Sequence, residues 1–275
     1  MPTADPDLTT LAGTDLGERT LAYDERDAML YALAVGAPPE RLDLVYERDL
    51  RVLPTLGLGL GLWAVEAAGD LGVYDSTRSL HAGQRLEVKR TFPRSASFLI
   101  SGRVSAVWDK GKATVVDVEV DSKLFAATYT IFIPGLGGWG GERGPSGAPA
   151  PEVEMKWSER RATRRDAAAL YRLTGDRHPV HIDPEVARAG GFERPILHGL
   201  CTLGMAALEV PAAIGAHPAE LRSLSARFAA PVLPGDDLAF AAGGLGDGEL
   251  AFEVHGPGGA AAISAGRAAY GSAGG

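Results

Sequence analysis

The sequence predicts an α+β protein made of two copies of one domain, each with antiparallel strands packed around a buried helix. Three observations support this prediction. A similar order of local signals occurs twice along the 275 residues, strand-like segments end each copy, and one helical pattern is apolar on nearly all sides. Because such a helix must be covered by other elements, a sheet wrapped around it is the expected architecture.

The repeat consists of three pairs of matching segments. The first pair, 26–28 and 165–167, opens a helical pattern in each half. The second pair, 53–57 and 197–200, starts an apolar segment, and the third pair, 82–86 and 234–238, precedes a strand. The interval between paired segments grows slowly along the chain, as loop insertions between two copies of a fold would produce. The stretch 134–151 is too rich in glycine and proline for helix or strand. We therefore predict domains at residues 1–134 and 152–275, joined by a linker at 135–151.

Each copy is predicted to end in an antiparallel meander, because Val, Phe, Ile and Thr alternate with turn residues there. The expected strands are 85–92, 97–109, 112–121 and 124–133 in the first copy, and 223–231, 237–242, 249–255 and 261–270 in the second. Helical patterns run over 26–36 and 165–175, and the buried helix is expected at 200–214. The two copies thus share one order of elements.

Composition limits the class of protein. The chain has 45% hydrophobic and 23% charged residues, which is typical of a globular protein, and its net charge of −8 argues against general binding to nucleic acid or to a membrane surface. The most apolar stretch, 52–65, is too short to cross a bilayer. The single Cys201 excludes an intramolecular disulfide, and the N-terminus shows no secretory signal. We expect a cytoplasmic protein.

Candidate chemistry is concentrated at residues 174–184, where ionisable side chains are dense. Asp183 precedes Pro184 and is assigned to capping a helix. Asp176 and His181 lie in the preceding loop, where Pro179 prevents a regular helix and lets the loop bring both side chains together. A carboxylate beside an imidazole is a proton-transfer pair near neutral pH. The alternative is that Asp176 caps a turn and His181 is an ordinary loop histidine.

A second candidate element is the start of the buried helix. The backbone N–H of Gly199 is expected at the helix N-terminus, where unpaired N–H groups and the helix dipole favour an anion such as an oxyanion; a plain helix entry is the alternative.

Other kinds of site are not indicated. Cys201 fits the apolar helix pattern, and no nucleophile elbow, phosphate loop or dinucleotide motif is present. No metal-site pattern and no cofactor are indicated. Outside this region, His81, His217 and His255 are isolated and are expected on surfaces or in turns.

These residues also carry a resemblance to a known family. The segments 171–176, 179–184, 191–192 and 195–202 resemble the signature of the hydratase 2 family, the MaoC-like (R)-specific enoyl-CoA hydratases. Residues 26–27, 31–33, 35–37, 46–47, 53–55, 80–81, 83–84 and 109–111 resemble the non-catalytic partner domain of that family. The resemblance covers nearly the whole chain and implies a double hot-dog fold.

The resemblance also implies an activity, which is hydration of trans-2-enoyl-CoA to (3R)-hydroxyacyl-CoA in fatty-acid metabolism by a hydro-lyase. Asp176 and His181 match the catalytic pair and Gly199 matches the oxyanion donor. His178 stands where the family usually has asparagine, whose amide would help to hold the substrate or the loop, and His178 and His198 are the expected substrate-binding residues. Because His198 precedes the buried helix and has no adjacent carboxylate in the sequence, it is expected to be a core or supporting histidine rather than a catalyst. The residues leave open which member of the pair activates water.

The first copy is expected to lack this activity. Ala37 stands where Asp176 stands in the second copy, and no histidine occurs between Ala37 and Leu53. Because Gly57, Gly59 and Gly61 are small, the first copy is expected to leave room for an acyl chain.

Two other functions remain open: dehydration of (3R)-hydroxyacyl thioesters on acyl carrier protein, and binding of acyl thioesters without conversion. An acidic protein is a poor match for an acidic carrier protein, which favours coenzyme A. A homodimer is a further expectation.

Overall fold

The computed structural model describes residues 8–74, 78–145 and 153–271. Within these residues, ten antiparallel strands form one sheet with the order β1-β3-β4-β5-β2-β7-β10-β9-β8-β6. The strands are β1 (Asp15–Tyr23), β2 (Leu80–Val88), β3 (Ala96–Asp109), β4 (Ala113–Ser122), β5 (Phe125–Pro134), β6 (Trp157–Ala162), β7 (Leu221–Phe228), β8 (Asp237–Gly246), β9 (Glu249–His255) and β10 (Ala261–Tyr270).

The two halves of the sheet have the same topology. From the outer edge to the centre, the first half reads β1-β3-β4-β5-β2 and the second reads β6-β8-β9-β10-β7. The halves meet where β2 pairs with β7, in a register that places Gly83 opposite Arg227 and Glu87 opposite Ser223. This repeated strand order supports the inference that one domain has been duplicated.

In each half the helices lie between the first two strands in chain order. They are α1 (Glu25–Ala34), α2 (Leu42–Val45), α3 (Leu56–Leu60), α4 (Trp63–Asp70), α5 (Ala167–Tyr171), α6 (Pro184–Ala189) and α7 (Gly199–Glu209). Residues 200–208 of α7 are all buried, as the apolar pattern predicts. The helix ends earlier than expected, because a 3-10 turn with Pro211 near its start continues from Val210 to Ile214. None of the helices in the described ranges is long and apolar enough to cross a membrane.

Sequence reasoning missed the two edge strands, β1 and β6. The strand β6 carries charged residues and is mostly exposed, and β1 is mostly exposed or half-buried. Charged side chains are typical of edge strands, where they discourage pairing with another chain, but they remove the apolar alternation that identifies a strand.

The first part of the predicted linker is tightly attached to the first half. The carboxylate of Asp109 accepts hydrogen bonds from the backbone N–H groups of Gly111, Gly138 and Gly140, and these bonds lower its pKa. Trp139 Nε1 donates to Thr114 Oγ1 at 2.9 Å. Residues 135–145 therefore run along the β3–β4 hairpin, while linker residues 146–151 lie outside the described ranges.

The glycines in and just after α3 lie against other groups at close range. A Cβ atom would lie 3.0 Å from the Phe125 ring at Gly57, 3.1 Å from the carbonyl oxygen of Thr174 at Gly59, and 2.5 Å from the Tyr129 hydroxyl at Gly61. These close contacts give the three glycines a packing role. The expectation that this region of residues 1–134 leaves room for an acyl chain stays a prediction.

Gly61→Ala should destabilise the protein by about 1–3 kcal/mol, because its methyl group would overlap the Tyr129 hydroxyl, which donates a 2.6 Å hydrogen bond to the Leu58 carbonyl. Chemical denaturation measures the change. Gly256→Ala is the control, since its nearest neighbour would lie 3.8 Å away, and its effect should stay within about 0.5 kcal/mol. Equal stability of the two variants would contradict this packing account.

Candidate active site

The site begins at a close contact between the two halves. Gly175 has a φ of 140°, and a Cβ atom there would lie 3.1 Å from the carbonyl oxygen of Gly59. A side chain at Gly175 would therefore be strained by the backbone and obstructed by α3. This contact places the next residue, Asp176, at the junction of the two halves.

Asp176 is largely buried, with 9% of its surface exposed. Its Oδ1 accepts a hydrogen bond from the His178 backbone N–H at 3.2 Å, and its carbonyl oxygen accepts one from His198 Nε2 at 3.1 Å. The second candidate carboxylate, Asp183, accepts from the Glu185 and Val186 N–H groups and caps α6. The structural role predicted for Asp183 is confirmed.

His181 has one ring nitrogen fixed and one free to act. Its Nδ1 lies 2.9 Å from the carbonyl oxygen of Ile196, so Nδ1 must carry the proton and donate it to this bond. The neutral ring therefore has a lone pair at Nε2. Burial lowers the pKa of His181, and the charge of Asp176 acts in the opposite direction. A neutral His181 with a free Nε2 is suited to accept a proton near pH 7.

His198 lies beneath this pair. Its ring stacks on that of His181, with 3.8 Å between centroids and 28° between planes, and it has no exposed surface. Burial lowers its pKa to about 3, so the ring is neutral. With no exposed surface, His198 is placed to act on the pair from beneath, and the contact predicted between His198 and substrate stays a prediction. The ring holds the Asp176 backbone and supports the His181 ring.

His178 is exposed, unlike the other three residues. Its Nδ1 accepts a hydrogen bond from the Val180 N–H at 3.3 Å, which begins the short 3-10 turn that carries His181. The rings of His178 and His181 are 6.1 Å apart between centroids. The contact predicted between His178 and substrate stays a prediction.

Gly199 is the first residue of α7, as the sequence predicts. Its N–H has no partner within the helix because no helical carbonyl precedes it. A Cβ atom at Gly199 would lie 3.1 Å from the ring of Phe228, so the absence of a side chain allows this ring to approach. The residue is thus placed to act as an oxyanion donor, and that role stays a prediction.

The geometry of Asp176, His181 and His198 disfavours a shared metal ion. Each offers a ligand atom, and the three atoms lie within 4.8 Å of one another. A metal bound by imidazole lies along the nitrogen lone pair, in the plane of the ring and about 2.0–2.1 Å from the nitrogen. Two stacked rings do not direct their lone pairs at one such point. The arrangement suits a water molecule or substrate better.

The first half also contributes a residue that sequence reasoning misplaced. His81, expected on the surface or in a turn, lies on β2 with its ring 4.8 Å from that of Phe228 and 5.8 Å from that of Tyr129. Burial lowers its pKa to about 4, against an opposing effect of the Asp176 charge. The sequence did contain a signal for His81, because residues 80–81 belong to the segments that resemble the partner domain of the family. Its lack of polar neighbours in the sequence favoured a surface position instead.

Comparisons with known proteins assign both halves to one family. The MFE-2 hydratase 2 N-terminal domain matches residues 21–135 and the MaoC like domain matches residues 147–256. An enzyme named peroxisomal enoyl-CoA hydratase 2, from Arabidopsis thaliana, is 33% identical over 271 residues, covering 86% of this chain and 88% of that protein.

Solved structures agree in fold. The full-length peroxisomal multifunctional enzyme type 2 of Drosophila melanogaster is 31% identical, with a TM-score of 0.80 over 93% of this chain and 48% of that one. A Mycobacterium tuberculosis protein described as a double hotdog has a TM-score of 0.60 at 15% identity, over 93% of this chain and 94% of that one. The chain therefore has the double hot-dog fold. It belongs to the hydratase 2 family of MaoC-like proteins.

His198→Gln should make stability less sensitive to acid. The pKa of His198 is about 3 in the folded protein and near 6.5 in the unfolded chain, so acidification below pH 6.5 protonates the unfolded chain first and destabilises the fold. Between about pH 4 and 6, His198 makes the unfolded chain bind nearly one more proton than the folded protein, and this excess sets part of the slope of the unfolding free energy against pH. The variant lacks this contribution, so its slope should be smaller by the amount that close to one proton produces. Urea denaturation at several pH values measures the slope, and an unchanged slope would contradict a neutral, buried His198.

Proposed function

We propose that the protein catalyses the (R)-specific hydration of trans-2-enoyl-CoA to (3R)-hydroxyacyl-CoA, together with the reverse dehydration. This makes it a hydro-lyase acting on acyl-CoA thioesters in fatty-acid metabolism. The observation that carries the proposal is the convergence of Asp176 and His181 over a buried neutral His198, in a chain that belongs to the hydratase 2 family.

The pair provides the proton transfers that this reaction needs. His181 Nε2 takes a proton from water as the hydroxyl group adds to C3 of the enoyl thioester. The carboxylate of Asp176 stabilises the imidazolium that results, consistent with its effect of raising the pKa of His181. The proton then passes from the pair to C2, which leaves both side chains in their starting states. One water molecule thus supplies both groups that are added.

Gly199 provides the electrostatic part of the mechanism. As the hydroxyl group adds, negative charge develops on the thioester oxygen. An N–H group at the first position of α7, reinforced by the helix dipole, can donate to that oxygen. His178, at the rim of the loop, is proposed to contact the bound thioester.

Two alternative functions are less well supported. Dehydration on acyl carrier protein would use the same pair, but the net charge of −8 opposes docking of an acidic carrier. A binding protein without catalysis would have no need for a free His181 Nε2 beside a carboxylate. Hydration of a coenzyme A thioester therefore remains the better proposal.

Four further expectations accompany this function. We propose that the first half accommodates the acyl chain, that residues 1–134 and 152–275 are separate domains, and that the protein is cytoplasmic. The buried free thiol of Cys201 is compatible with a reducing compartment. Homodimerisation stays a prediction.

Asp176→Asn and His181→Ala should each lower turnover of crotonyl-CoA by roughly 100- to 10,000-fold, because each removes a positioned proton-transfer group. The double variant should be little worse than the worse single variant, since the two groups act as one unit. Loss of conjugated thioester absorbance measures the rate.

Asp183→Asn is the matched control for this test, because it makes the same charge change at a carboxylate that caps α6. Asparagine caps helices about as well as aspartate, so turnover and melting temperature should stay close to those of the unaltered protein. Normal turnover in either site variant, or a loss explained by unfolding, would contradict the proposed roles.

A further inference from the structure

A cavity that the proposed mechanism does not use lies beside the segment leading to α7. Its volume is about 520 Å³, within the usual range for small-molecule sites. The lining residues are Arg165, Arg194, Pro195, Pro234, Gly235 and Asp236. Two arginines thus face one cavity in a protein whose net charge is negative.

One wall of this cavity is held by hydrogen bonds. The Leu233 N–H donates to the carboxylate of Asp236 at 2.8 Å, and the Gly235 N–H donates to Thr163 Oγ1 at 2.8 Å. The stem of Arg165 packs over this turn, with its Cγ 3.5 Å from the Cβ position of Gly235. Arg165 therefore lies against this turn at the cavity wall.

The charge in this cavity is unbalanced. Neither Arg165 nor Arg194 has an ion-pair partner among the residues that the structure describes, whereas the neighbouring Arg164 pairs with Asp166 at 2.8 Å. The one carboxylate of the lining, Asp236, accepts a backbone hydrogen bond. Two arginines against one carboxylate leave a net positive cavity, and guanidinium groups bind phosphate oxygens in a bidentate manner.

The cavity is connected to the site through a short stretch of chain. Pro195 is followed by Ile196, whose carbonyl oxygen accepts the hydrogen bond from His181 Nδ1 at 2.9 Å. Arg194 precedes Gly199 by five residues, which span at most about 17 Å when extended. A thioester at Gly199 and a phosphate in the cavity could therefore belong to one elongated ligand.

We propose that Arg165 and Arg194 bind the nucleotide phosphates of coenzyme A while its thioester lies against Asp176 and His181. This inference rests on the function proposed above. A phosphopantetheine arm on a carrier protein also has a phosphate, but it lacks the adenosine phosphates, so small probes can separate these two sources.

The test compares two thioesters in the full-length protein. With crotonyl-CoA, the Arg165→Ala/Arg194→Ala double variant should raise KM by about 10- to 100-fold, as expected for lost charged hydrogen bonds, with kcat within about twofold. With crotonyl-pantetheine, which has no phosphate, KM should not change. Arg160→Ala/Arg164→Ala makes the same net charge change outside the cavity lining and should leave both KM values unaltered.

A binding measurement keeps this inference separate from the proposed activity. Adenosine 3′,5′-bisphosphate should bind the unaltered protein in calorimetric titration and should fail to bind the Arg165→Ala/Arg194→Ala variant. If the bisphosphate binds but neither thioester is hydrated, the proposed function is wrong and the inference of a phosphate site still holds. An unchanged KM for crotonyl-CoA, an equal rise for both thioesters, or no bisphosphate binding by the unaltered protein would overturn the inference.

Discussion

The pairing of β2 with β7 is the interaction on which the site depends, because it joins two repeated halves into one sheet. His81 on β2 meets Phe228 at the end of β7, and the Phe228 ring covers Gly199 at the start of α7. Close to this junction, α3 of the first half contacts the loop that carries Asp176 through Gly59. A half that lacks the proposed catalytic pair therefore helps to fix its position.

Burial keeps one histidine of the site neutral. His198 has no exposed surface, and a neutral imidazole beneath His181 avoids placing a second positive charge beside the imidazolium that we propose forms. Holding a neutral histidine in this way costs stability at acid pH. Function and stability are thus linked through the same ring.

The sequence predicted much of this arrangement because its signals are local. The buried α7 follows from continuous apolar residues, the cap by Asp183 from its position before Pro184, and the loop pair from polar density. Contacts distant in sequence were not predictable in this way. The role of Gly59 depends on a carbonyl 115 positions later in the chain, at Thr174, and the burial of His198 depends on how its ring packs under His181.

The most direct test of the central claim is the pH dependence of kcat/KM for crotonyl-CoA in the unaltered protein and in Asp176→Asn. If neutral His181 accepts the proton, activity falls as the pH drops through an apparent pKa below 6.5, since burial lowers the pKa of His181. Removing the Asp176 charge, which raises that pKa, should move the fall in activity to lower pH. A fall centred above pH 6.5, or one at the same pH in both proteins, would contradict a coupled Asp176–His181 pair.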